Sequence, residues 1–108
     1  METARIPAHL EVTGLLRAVG ARGGFGTVLA KGEREAGTLL VICCHRGTNG
    51  ILFERMPQLD GTRKWTAIKQ ENPENPSEIM EYWQRRKRQD NDLWVIELDH
   101  PEAERLLI

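Results

Sequence analysis

DNDLWVIELD, residues 90–99, is the stretch whose reading decides the fold. Leu93, Trp94, Val95 and Ile96 follow one another without a polar break. The run is too short for a buried helix and is rich in β-branched and aromatic residues, so it reads as a strand. Alternation sends Trp94, Ile96 and Leu98 to one side and Leu93, Val95 and Glu97 to the other. A strand that is apolar on both faces belongs inside a sheet rather than at its edge. Carboxylates bracket it: Asp90 and Asp92 come before, Glu97 and Asp99 within and after. Such groups are seldom buried without a partner.

Upstream lies a helix over residues 76–89, with Asn75 as N-cap, Pro76 in the first turn and Glu78 as the capping-box acid. It carries Ile79, Met80, Tyr82 and Trp83 in its first half and ends in Arg85-Arg86-Lys87-Arg88. Cations suit a helix C-terminus, each by a few tenths to about 1 kcal/mol. Four in a row cannot share one face, so at least one is expected to lean over the sheet or to pair with Asp90, Asp92 or Glu97. A first helix begins at Pro7, its apolar stripe Val12, Leu15, Leu16 and Val19 extended by Ala8. Gly20, Gly23 and Gly24 end it. The glycine cluster runs from helix to strand, the reverse of a phosphate loop.

Between the helices four strands are expected: residues 25–30, 37–46, 51–56 and 63–69. Residues 47–50 read as a hairpin turn, with Asn49-Gly50 supplying the two positive φ angles of type I′. Pro57 and Asp60-Gly61 mark the next turn. Residues 1–5 read as a tail and residues 101–107 as a last short helix capped by Asp99 or His100. The element order α-β-β-β-β-α-β predicts an α+β domain with a mainly antiparallel five-stranded sheet and two long helices packed on it. Its first four strands are expected to form a meander, with residues 93–98 inserted beside the first strand.

The chain has 108 residues, 40% of them hydrophobic and 29% charged, with net charge −1. That is a single soluble domain able to form a core without metals or disulfides. The charge balance argues against a general nucleic-acid coat. Neither a secretion signal nor a run of about eighteen apolar residues is present, so a cytoplasmic protein with no membrane partner is expected. Cys43 and Cys44 are adjacent, which disfavours a disulfide between them. Their apolar neighbours make them inert filling rather than nucleophiles. Cys43 and His45 share a face, but a zinc site needs four ligands at paired spacings. No metal and no cofactor is expected.

Taken together the pieces resemble a small family of alphaproteobacterial proteins known only as a domain of unknown function. The resemblance spans nearly the whole chain. It rests on Arg5, on Leu15-Leu16-Arg17, on Gly23-Gly24-Phe25 with Thr27-Val28, and on Lys31-Gly32 followed by Ala36-Gly37. It is strongest at Tyr82 and Arg85, then Asp90-x-Asp92-Leu93-Trp94-Val95-Ile96-Glu97. Asn91 stands where the family has proline, and His100-Pro101-Glu102 departs from the family's C-terminal end. The resemblance implies a bacterial cytosolic setting and transfers no catalytic residue.

Function is therefore read from residues. The candidate binding residues are Arg17, Arg85, Arg88, Asp90, Asp92 and Glu97. The first reading is a non-catalytic binding or protein-interaction module, a homodimer through an uncovered sheet edge. A second is an RNA- or anion-binding module using Arg85, Arg86, Lys87 and Arg88, for which exposed aromatics beside the charge would be needed. A third is a small enzyme with an acid site at Asp90, Asp92 and Glu97.

Overall fold

The structure, a computed structural model, describes residues 6–107; the expected tail over residues 1–5 lies outside them. Helix α1 (Ala8–Ala21) starts after Pro7, which caps it, and Gly23 takes a positive φ of 84° just beyond its end. Strands β1 (Phe25–Ala30), β2 (Leu39–His45), β3 (Thr48–Pro57) and β4 (Arg63–Gln70) follow. Helix α2 (Glu78–Gln89) leads into β5 (Trp94–Asp99), and a 3-10 turn over Ala103–Leu106 ends the described chain. It is an α+β fold with five strands.

The sheet order is β1-β5-β2-β3-β4. Strand β5 pairs antiparallel with β1 and parallel with β2, and the other pairs are antiparallel. The apolar run of residues 93–96 thus does sit inside the sheet and beside β1. The expected four-strand meander is corrected: β5 separates β1 from β2, and only β2, β3 and β4 form one. The cause lies in the connection from β1 to β2. It crosses the start of β5, and the Asp92 carbonyl oxygen presses against Gly32 and Gly37, where a Cβ at either would collide with it.

Two apolar clusters lie on opposite faces, as the alternation in β5 requires. On one face Ala8, Val12 and Val19 of α1 pack on Val41, Trp94, Ile96 and Leu98. On the other, Ile79, Tyr82 and Trp83 of α2 meet Leu40, Ile42, Leu52, Leu93 and Val95. Leu93, Val95, Ile96 and Leu98 are fully buried. Burying a side chain of this kind stabilises by about 1.5–3 kcal/mol, so this one strand carries a large share of the core.

Three local expectations shift. The β2–β3 turn is Arg46-Gly47, with φ of 54° and 73°, and not Asn49-Gly50. Gly50 lies under Ile42 and Ile79, its carbonyl accepting the Glu71 N–H, and the Asp99 carboxylate accepts the N–H groups of Arg46 and Gly47 at 2.7 and 3.0 Å. That pairing register and that acceptor outweigh the cost of placing Arg46 in the left-handed region. Helix α2 begins at Glu78 behind Ser77, without a side-chain cap bond, because Asn72 and Asn75 bridge each other in the preceding loop. The C-terminal helix contracts to a 3-10 turn behind Glu102, whose N–H is taken by His100 Nδ1.

Candidate functional site

At the junction of α2 and β5 the Asp90 N–H closes the helix on the Arg86 carbonyl, and Asp90 Oδ1 accepts the Asp92 N–H at 3.0 Å. Lys87 Nζ donates to the carbonyls of Lys31, Asn91 and Leu93 at 2.7, 2.6 and 3.0 Å. Those three bonds use its whole donor set. The Trp94 indole donates to the Glu33 carbonyl at 2.6 Å, and the Glu33 N–H to the Asp92 carbonyl at 3.0 Å. Residues of the Asp90–Trp94 motif and its companions Gly32 and Gly37 therefore bind one another.

The six candidates occupy different places. Asp90 and Asp92 share the junction. Arg85 and Arg88 are exposed on α2 and form no ion pair among the described residues. Arg17 is exposed on α1, on the opposite side of the sheet from α2. Glu97 lies farther along β5.

Within the basic run it is Arg86 that leans over the sheet. It donates both amino groups to Glu54, at 2.8 and 3.0 Å, and one also to the Tyr82 hydroxyl at 2.9 Å. Its guanidinium stays ionised well above the usual range because Glu54 holds the charged form. The next residue, Arg55, reaches the other face and grips Glu11 of α1 through two bonds of 2.6 Å. It also lies 4.7 Å from the centre of the Trp65 ring. Adjacent residues of β3 thus fasten one helix to each face. Sequence reasoning missed Glu11, Glu54 and Arg55; a pair of opposite charges at the end of an apolar strand was the only signal.

Glu97 lies on the α2 face, beyond the part of the sheet that α2 covers. A cleft of about 260 Å³ opens there, with Glu97, Ile42 and Cys44 from the sheet and Ile79, Met80 and Trp83 from α2. Glu97 is half-buried, and its carboxylate has no hydrogen bond or ion pair among the described residues. Burial, then the nearby Asp99 charge, push its pKa up. Glu71 also lines the cleft, one oxygen accepting the Asn49 N–H at 3.2 Å.

Cys44 borders the same cleft and Cys43 points to the α1 face. Burial first, then Glu97 for Cys44 and Glu104 for Cys43, raises each thiol to about 12. A thiol that holds its proton so firmly is a poor nucleophile. No group of three or more His, Cys, Asp or Glu side chains able to hold a metal occurs among the described residues. No helix among them is long and apolar enough to cross a membrane.

The two sheet edges differ. Strand β4 carries Arg63, Lys64 and Lys69. Strand β1, FGTVLA, has no charge and no proline, and leaves Phe25 75% and Val28 42% exposed. Among the described residues no loop bonds to its outer side.

Comparison with solved structures places this arrangement. A crystal structure of a DUF1491 family protein from Caulobacter crescentus matches with a TM-score of 0.82 at 28% identity, covering 95% of each chain. An NMR structure of a DUF1491 family protein from the same organism gives 0.79 at 28% identity, over 97% of this chain and 94% of that one. A solution structure of a protein from Agrobacterium tumefaciens gives 0.76 at 30% identity, over 96% and 93%. Both organisms are alphaproteobacteria, as the resemblance implied. No curated protein matches the chain significantly. The family model for DUF1491, a protein family of unknown function, matches residues 6–108, and the chain belongs to that family.

Proposed function

We propose that this protein is a non-catalytic cytosolic interaction module and that its docking surface is the free edge of β1, occupied by a second copy. The observation that carries the reading is the contrast between the two edges. Exposed strand edges are templates for pairing, and proteins guard them with charge, proline or cover. Strand β4 is guarded by Arg63, Lys64 and Lys69; β1 has none of these residues. Antiparallel pairing of β1 with its symmetry mate would join two five-stranded sheets across a two-fold axis, the usual form of a homodimer contact. The firmly protonated thiols support the non-catalytic part of the reading. Lys87 and Arg86 are committed to structural bonds, which leaves Arg85 and Arg88, one turn apart on α2, as the run's free cations among the described residues, two rather than four, and weakens the RNA reading.

Sedimentation equilibrium over a wide concentration range tests this. The wild type should approach twice the chain mass. Thr27→Lys and Val28→Lys, both at exposed positions, should each return a folded monomer whose melting temperature no longer rises with protein concentration. A wild type that stays monomeric throughout, or a dimer indifferent to both substitutions, overturns the reading.

A further inference from the structure

We infer that the cleft between α2 and the C-terminal ends of β2 and β5 is a binding site for a small organic cation with an alkyl stem, an alkylguanidinium in particular. The argument starts from charge. A carboxylate withdrawn from water normally acquires a cation or several donors. Glu54 and Glu11 have theirs in Arg86 and Arg55. Asp99 has its own in the amides of Arg46 and Gly47. Glu97 is half-buried in the cleft with none of these, and Asp99 beside it adds negative charge.

The walls suit the rest of such a ligand. Leu29, Ile79 and Met80 offer apolar surface, and Met80 is 48% exposed. Trp83 presents an indole to the same space, and an aromatic face attracts cations, guanidinium most often. Glu71 contributes a second carboxylate; one oxygen holds the Asn49 N–H and the other faces Gly50. A planar guanidinium can bind a carboxylate through two parallel bonds and is less strongly hydrated than ammonium. The volume of about 260 Å³ lies just under the roughly 300 Å³ at which small-molecule sites begin. That space suits a butylguanidinium-sized ligand, and a free small molecule is the assigned occupant.

The test is an amide NMR titration of the wild-type protein near neutral pH with n-butylguanidinium, 1-butanol as its neutral counterpart, and an end-blocked Gly-Arg-Gly peptide. The expected result is saturable shifts at Leu29, Gly50, Trp83 and Glu97 with n-butylguanidinium. One charge-assisted contact corresponds to about a tenfold or larger change, so 1-butanol and the Glu97→Gln variant should each bind at least about tenfold more weakly. Glu97→Gln keeps the shape of the side chain, and its fold is verified by the unchanged dispersion of its other amides. No saturable shift with n-butylguanidinium, equal binding of 1-butanol, or undiminished binding to Glu97→Gln overturns the inference. Tighter binding of the peptide overturns the small-molecule assignment. Val28 pairs with Ile96 on the α1 face, away from the cleft, whereas Thr27 pairs with Glu97; Val28→Lys therefore separates this result from the oligomeric state.

Discussion

Glu97 shows how one residue can be placed by its neighbours against its own preference. The alternation in β5 that buries Val95 also turns Glu97 inward, because both face α2. Burial and Asp99 raise its pKa above the ordinary carboxylate value, which is about 4.3 in an unfolded chain. A raised folded pKa means that the native state favours the protonated form. The associated stabilisation is complete below the unfolded value and is lost as pH rises through the folded one. Glu97→Gln removes the titration while keeping the shape. Melting temperatures should therefore match for wild type and Glu97→Gln at low pH, and the variant should become the more stable as pH rises to neutral. A variant less stable than wild type at neutral pH would show that Glu97 has a stabilising partner. The sequence revealed the inward direction of this side chain, since alternation from Leu93 fixes it. It did not reveal the missing cation, which depends on where α2 stops covering the sheet.

At the scale of elements the sheet holds its helices by apolar stripes, by Glu54-Arg55 on β3 and by a longer Lys69–Glu78 pair from β4. The two β3 pairs are largely sheltered, with side-chain exposures of 28% and 16% for Arg86 and Glu54 and 27% and 21% for Arg55 and Glu11. Open surface pairs are worth about 0–1 kcal/mol, and bonds to charged groups with less water access about 1.5–3. Breaking either clamp, by Glu11→Gln or Glu54→Gln, should cost about 1–2 kcal/mol. For a domain of this size that lowers the melting temperature by about 4–8 °C per kcal/mol. Arg85→Ala and Arg88→Ala, which break no ion pair, should stay within about 0.5 kcal/mol of wild type. Thermal unfolding of the four variants separates the two classes; equal losses in all four would refute the clamp. The sequence pattern led to the expectation that at least one cation of the basic run leans over the sheet or pairs with Asp90, Asp92 or Glu97, and Arg86 takes the first course. The pattern could not name Glu54, because the partner lies 32 residues upstream and local spacing carries no information about which strand passes beneath a helix.

For the molecule as a whole, what decided the fold was the double-sided apolarity of residues 93–96, and that much was legible. This strand, late in the chain, lies between two strands that precede it in sequence. Its neighbour β1 was expected, but its second neighbour β2 was not legible, because that depends on Gly32 and Gly37 letting the β1–β2 connection lie against Asp92. In isolation two glycines in a polar stretch look like an ordinary loop. Among the described residues the resulting topology makes the β2–β5 pair the only parallel one and places it in the sheet interior, while the β3–β4 hairpin is local in sequence and lies at one side. Native-state hydrogen exchange reports the free energy of opening for each amide, and buried central elements open only with the whole domain. Amides of Val95, Ile96 and Leu98 and their β2 neighbours Val41 and Ile42 should therefore exchange last, with the free energy of global unfolding, although β5 stands near the end of the described chain. Amides of β4 should exchange earlier, since one of its sides is open and its burial is partial. A β3–β4 hairpin that outlasts β5 would mean that the local meander is the stable unit and that β5 docks on it as a separable strand.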